Sequence, residues 1–346
     1  MIERDPMSRR SFVRASVGLV PLVAGGGLLA ACGDSDSSTS SKGSGASGRS
    51  GKDVTFGFSH PYAEVPIVAK IKDLVSGVAK DKGWKVRLDE TQAGELQDQL
   101  GTIDTWITQK VTALSVFPTE PSAFETQARR AAEAGIVWTT YAIPMETSAG
   151  GVLFPPELSG EVTGRATVEW IKANDPKAQV LILENTSGGV QRKRTDIPKK
   201  MIEDQTSAKI VAVQAAIEQV KGLQVTEDVL QSFPDVTVVV AHSDDGGLGA
   251  ADAFRKAGRK DPSAVWIIGQ DGSEDALTAL HKGKTHFRAS AALDINRLCR
   301  EVVGVTARAI DRQWKPGGKQ EYIKLAPTLI KAGDSTLAER FLTAYR

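Results

Sequence analysis

Basic and acidic side chains are almost balanced, 43 Lys and Arg against 42 Asp and Glu, so the chain lacks the one-signed field by which a protein binds a polyanion. Nucleic acid is therefore excluded as a partner. Cysteine is nearly absent: Cys32 belongs to an N-terminal leader and Cys299 to a stretch of apolar helical spacing, which leaves no disulfide framework and makes Cys299 a small core residue. The four histidines, His60, His242, His281 and His286, show no tight metal-ligand spacing, so neither a metal nor a cofactor is expected. A long unbroken apolar run is also missing from the leader, where 15–28 is interrupted by Pro21 and four glycines, too short and too broken for a spanning helix.

What the leader does contain is an address. Ser8-Arg9-Arg10-Ser11-Phe12-Val13-Arg14 precedes a weakly apolar middle and the small residues Leu29-Ala30-Ala31-Cys32, the three parts of an export signal. The paired arginines resemble a Tat signal, whose pattern begins at Met7, and the end resembles a bacterial lipobox. The resemblance implies cleavage after residue 31, acylation of Cys32, and an exported protein anchored by lipid on the outer face of the cytoplasmic membrane. Residues 33–52 are mostly Ser, Gly, Thr and Ala and cannot repay the entropy of folding, so 32–52 reads as an acylated cysteine with a flexible tether. Twenty such residues reach about 25 Å.

From Asp53 onward, β-rich runs alternate with helical segments, the rhythm of βαβ units and parallel sheets in an α/β fold. Strands are expected at 54–58, 111–117 and 136–141, and again at 179–183, 209–213, 236–241, 265–269 and 287–293. Leu96, Leu100, Ile103 and Ile107 form the apolar stripe of one intervening helix, and Gly83 and Gly135 are positioned as helix C-caps. Two similar halves follow one another. Because ligands bind beyond the carboxyl ends of strands in open parallel sheets, the residues after each run are the candidates. They include His60 and Tyr62, Tyr141, Glu184-Asn185-Thr186, His242-Ser243-Asp244 and Gln270-Asp271. Individually such residues also serve as turns and N-caps; as a set they point to a pocket between the halves.

Several motifs, in order, carry a more specific likeness: Lys72-Asp73, Lys82-Gly83-Trp84, Pro118-Thr119, Ala134-Gly135-Ile136, Lys221-Gly222-Leu223, Pro234-Asp235-Val236, Ala241-His242-Ser243-Asp244-Asp245, Leu248-Gly249-Ala250 and Gly269-Gln270-Asp271-Gly272. With these the chain resembles periplasmic sugar-binding proteins of the ribose-binding type, the capturing components of ABC importers. The resemblance implies a periplasmic-binding-protein-like fold with two Rossmann-like lobes joined by a three-crossing hinge. The first lobe would take 53–155 and 292–322, and the second 156–291 and 323–346. It also implies roles: Arg194 and Asp271 fall where the family binds sugar hydroxyls, and His60 and Tyr62 where it uses aromatics.

Departures from the ribose binders are as informative. Tyr141-Ala142 replaces an Asp-Arg pair, Ser243 an Asn, Ile217 an aromatic and Ala292 a Gln, while a longer first loop introduces Glu64. A different sugar or sugar alcohol is the expected ligand, with Glu64, Glu218 and Tyr141 compensating in part. The expected protein is a monomer that hands this ligand to an ABC permease. An alternative is a sensor presenting a sugar or furanose-like signal to a membrane kinase, and a third reading is a glycoside hydrolase on the same scaffold.

Other chemistries fit the spacing poorly. Gly247-Leu248-Gly249 opens a helix after a strand, but Asp252 holds the third glycine position and Asp244 and Asp245 would repel a pyrophosphate. Gly283-Lys284-Thr285 imitates the end of a P-loop, yet Thr278 stands where that motif requires Gly. His242-Ser243-Asp244 contains triad residue types that adjacent positions cannot arrange as a triad, and no catalytic residue is expected.

Overall fold

A computed structural model describes residues 53–63, 66–186 and 189–346 and shows two six-stranded sheets, one for each half of the alternating pattern. The leader, Cys32, the tether and Glu64 lie outside the described residues. In the first lobe β1 (Thr55–Ser59), β2 (Lys85–Leu88), β3 (Ala113–Val116), β4 (Val137–Ala142) and β5 (Gly150–Leu153) pair in parallel. The second lobe contains β6 (Gln179–Glu184), β7 (Lys209–Ala215), β8 (Val236–Ala241), β9 (Trp266–Asp271) and β10 (Phe287–Ala292), also parallel. Late in the chain, β11 (Glu321–Lys324) joins β5 in parallel and β12 (Thr328–Lys331) joins β10 antiparallel.

Central strands such as β3 and β8 are mostly apolar and almost wholly buried because both faces of each sheet are covered. On the first sheet, α1 (Pro66–Asp81) and α9 (Ile295–Asp311) pack on one face, α2 (Leu96–Thr108) and α3 (Pro121–Glu133) on the other. The expected stripe of α2 faces the sheet, with Ile103 and Ile107 buried and Leu96 and Leu100 at its margin. On the second sheet, α4 (Pro156–Asn174) and α5 (Lys193–Gln205) oppose α6 (Gln219–Ser232), α7 (Asp244–Lys256), α8 (Glu274–Lys282) and α10 (Ser335–Leu342). Gly83 and Gly135 have φ of 78° and 71°, the left-handed conformation expected of C-cap glycines.

Among the described residues the chain passes between lobes in three connections, β5 to α4, β10 to α9 and β11 to β12. Because β11 hydrogen-bonds to β5 through Lys324, the third crossing runs at 325–327, just beyond the position inferred from the resemblance. The C-terminus then ties the lobes together: Phe341 and Leu342 enter the core of the second lobe, whereas Ala344 enters that of the first.

Gly249 is a packing residue. A Cβ there would lie 2.1 Å from the Gln219 carbonyl, and one on Gly222 would lie 2.4 Å from that of Gly246, so these glycines let α6 and α7 touch backbone to backbone. Gly283, in the P-loop look-alike, closes α8 in the left-handed conformation.

Candidate ligand site between the lobes

The carboxyl ends of both sheets carry the residues singled out above, and the two lobes offer different surfaces. On the first lobe the surface is aromatic. His60, directly after β1, stacks on Phe117 with ring centroids 4.7 Å apart and packs against Tyr141 at 5.5 Å and Tyr62 at 5.9 Å. Tyr141 in turn meets Phe154 at 5.3 Å, edge to face. Such ring pairs contribute about 0.5–1.5 kcal/mol each beyond the area they bury. Tyr141 is 2% exposed, and burial raises the pKa of its hydroxyl. Burial, reinforced by the charge of Lys72, lowers His60 to about 3, so this ring is neutral.

Beneath the aromatic surface lies a buried polar scaffold. Fully buried Asp89 accepts a hydrogen bond from the Ser59 hydroxyl at 2.7 Å and from the backbone and hydroxyl of Thr91 at 2.9 and 2.6 Å, while the Lys72 ammonium donates to the Asp89 carbonyl. Gln99 donates to the Ser59 hydroxyl at 2.9 Å and to the Phe117 carbonyl at 3.0 Å. These bonds fix the two loops that present His60 and Phe117.

On the second lobe the surface is charged. The Arg194 guanidinium, from the first turn of α5, donates to Asp271 Oδ1 at 2.6 Å and to the His242 carbonyl at 3.3 Å. Gln270, wholly buried, donates to the carbonyls of Arg194 and Ala241 at 3.0 and 3.1 Å, which holds the start of α5 against the ends of β8 and β9. Burial, with the charge of Arg194, lowers His242 to about 4. Arg194 Nε, Gln270 Oε1 and the Nδ1 atoms of His60 and His242 are buried without a hydrogen-bond partner among the described residues.

Phe154 connects the two surfaces. It borders a small pocket at the hinge together with Arg194, Asp271, Leu293 and Leu325.

Three of the candidates are placed away from this surface. Ser243 caps α7: its hydroxyl donates to the Ile217 carbonyl at 2.5 Å and accepts from Gly246 N–H at 3.1 Å, which uses it locally. Asp244 is 1% exposed, and its carboxylate accepts from Gly272 N–H, Ser273 N–H and the Ser290 hydroxyl at 2.7, 2.8 and 2.7 Å. It thus lies behind the site, because its oxygens are engaged with the loop. Glu218, the N-cap residue of α6, is exposed and makes no capping bond. Phe117 and Phe154, by contrast, are not among the candidates; both directly follow strands, as His60 does, but Phe117 falls inside the strand expected at 111–117 and neither carries a polar atom.

Residues 56–300 match the family described as the periplasmic binding protein domain. The chain belongs to the periplasmic binding protein family. As a periplasmic binding protein it is an exported solute-binding protein and not an enzyme, which removes the hydrolase alternative. It is similar to the ribose import binding protein of Bacillus subtilis, 29% identical over 234 residues that cover 67% of this chain and 74% of that protein. It is also similar to a xylitol-binding protein of Mycolicibacterium smegmatis, 28% identical over 203 residues, 55% of this chain and 54% of the other. An ABC transporter solute-binding protein from Actinobacillus succinogenes, solved with bound D-allose, shares the fold with a TM-score of 0.70 at 20% identity, covering 82% of this chain and all of that one. Among the described residues no helix is long and apolar enough to cross a membrane, and no cluster of three or more His, Cys, Asp or Glu could hold a metal ion.

Proposed function

We propose that this periplasmic binding protein is the substrate-binding component of an ABC importer, capturing an uncharged sugar or sugar alcohol between its lobes and delivering it to a membrane permease. The observation that carries this reading is the Arg194–Asp271 pair, which shares a hinge pocket with Phe154, whose ring packs on Tyr141 of the aromatic cluster. A guanidinium donates and a carboxylate accepts, so together they hold neighbouring hydroxyls by charge-assisted bonds. The flat rings of that cluster cover the C–H face of such a molecule. Arg194 is balanced by Asp271 and both histidines are neutral, so the site offers no surplus charge to a sugar acid or phosphate. Names of relatives that bind ribose and xylitol support the same ligand class.

The contacts we assign to the ligand are Arg194 and Asp271 from the second lobe and His60, Tyr62 and Tyr141 from the first. Contacts from both lobes exist together only when the lobes close, so binding shifts the population toward the closed form, and that shape docks on the permease. Acylated Cys32 keeps this receptor at the membrane, and the protein works as a monomer. The test is a thermal-shift panel of pentoses, hexoses and polyols, with sugar acids as controls, followed by calorimetry on the hits. Stabilisation by at least one neutral member is expected, and none by the acids; no stabilisation by any neutral member would overturn the assignment.

A further inference from the structure

We propose that Asp244 is a positioning residue of the ligand site: it pins the loop after β9 in a strained conformation that aims Asp271 at Arg194. The inference rests on the reading of Asp271 as a ligand contact. Asp271 has φ of 121°, a region that side-chain-bearing residues rarely adopt, and Gly272 follows at 79°. Such a residue persists only where its surroundings over-determine it.

Three elements converge on this loop. From α7, Asp244 accepts the two successive amides of Gly272 and Ser273 on Oδ2, while the Ser290 hydroxyl of β10 donates to Oδ1. From the hinge, Leu293 N–H donates to the Asp271 carbonyl at 3.0 Å. From the C-terminus, the Tyr345 hydroxyl donates to the Gly272 carbonyl at 2.7 Å. The carboxylate reaches the loop because residue 269 is glycine: a Cβ there would stand 2.5 Å from Asp244 Oδ1 and 2.7 Å from its Cα. Three donors surround Asp244, so its ionised form matches the site, although burial and the neighbouring Asp271 charge push it up to about 7. The first lobe holds its own site loops in a parallel manner through buried Asp89.

Asp244→Ala leaves two buried amides without an acceptor. Asp244→Asn partly rescues it, since the amide oxygen still accepts both and the NH2 donates to the Ser290 hydroxyl. Amide hydrogen exchange by NMR on the ligand-free full-length protein reads the positioning directly. Asp244→Ala is expected to accelerate exchange at Gly272 and Ser273 on the order of tenfold or more, with β8 amides unchanged and Asp244→Asn intermediate. Calorimetry with D-ribose and xylitol reads the consequence: Asp244→Ala weakens binding on the order of tenfold in the wild-type background but adds nothing in the Asp271→Asn background, because it acts through Asp271. Unchanged exchange at both amides, or equal loss of affinity in both backgrounds, would overturn the proposal. If Asp244→Ala does not fold, Asp244→Asn and Ser290→Ala give the same exchange readout at smaller amplitude. If neither polyol binds the wild type, the exchange result still decides the positioning role, and the failure falls on the ligand assignment alone.

Discussion

Arg194 and Asp271 are 77 residues apart in the chain and 2.6 Å apart in space, and both belong to the second lobe. The charged half of the candidate site therefore lies within one lobe. Side-chain exposure of 16% for Arg194 and 39% for Asp271 leaves the carboxylate as the more open partner. Under the proposed function, a ligand hydroxyl meeting this pair would find its donor and acceptor already oriented, with the ordering cost of these two side chains borne by the fold and not by binding.

Arg194→Ala should reduce affinity for the stabilising polyol on the order of a hundredfold while changing the melting temperature little, since hydrogen bonds to a charged group contribute about 1.5–3 kcal/mol. Arg194→Lys should recover only part of the loss, because an ammonium lacks the planar fork of the guanidinium. Calorimetry on the three proteins checks both; wild-type affinity in Arg194→Ala would remove Arg194 from the site.

Tyr141 separates packing from recognition. Its ring lies among Phe58, His60, Phe117 and Phe154, and no hydrogen bond of its hydroxyl is found among the described residues. Tyr141→Phe should leave the denaturant midpoint nearly unchanged and weaken ligand binding on the order of tenfold, whereas Tyr141→Ala should cost about 3–5 kcal/mol of stability. Unaltered affinity in Tyr141→Phe would make the residue purely a core aromatic.

Acid should act through His60. Burial lowers it to about 3 from the ordinary 6.5, so below pH 6.5 the unfolded chain takes a proton that the folded one does not. Its contribution to stability is complete above pH 6.5 and declines as pH falls toward 3. His60→Phe should match the wild type within about 1 kcal/mol at pH 8 and gain on it steadily as pH falls from 6.5 to 4.5. The comparison cancels Asp244, whose raised value works in the opposite direction. Urea midpoints at several pH values provide the measurement, and parallel curves for the two proteins would contradict it.

Cys32→Ser should move the protein from the membrane fraction to the soluble one and abolish incorporation of a labelled fatty acid, without altering sugar binding by the folded body. Retention in the membrane fraction would assign the anchoring to something other than the acylated cysteine.

β8 was located to the residue at 236–241 because a doubly covered parallel strand is a nearly continuous apolar run, here interrupted by Thr237, whereas the equally buried β5, with two glycines among its four residues, was not expected. The edge strands β11 and β12 were not, since Glu321–Lys324 and Thr328–Lys331 are short and half-exposed, and nothing in their composition separates them from a loop. Arg194 and Asp271, proposed from the family likeness, are brought together by the fold. Phe117 was not legible, because an apolar residue at a strand end reads as core until its ring is seen against His60.

Ser243 and Asp244 show the limit most clearly. Sequence alone determined that polar residues follow β8 and that two α/β halves follow one another in the manner of a periplasmic binding protein. Only the tertiary structure decided that Ser243 caps a helix and that the Asp244 carboxylate accepts the Gly272 amide. A polar side chain after a strand has the same local signature whether it meets a ligand, a helix end or a neighbouring loop; which of these it meets depends on residues such as Ile217, Gly272 and Ser290, brought to it only by the packing of the second lobe.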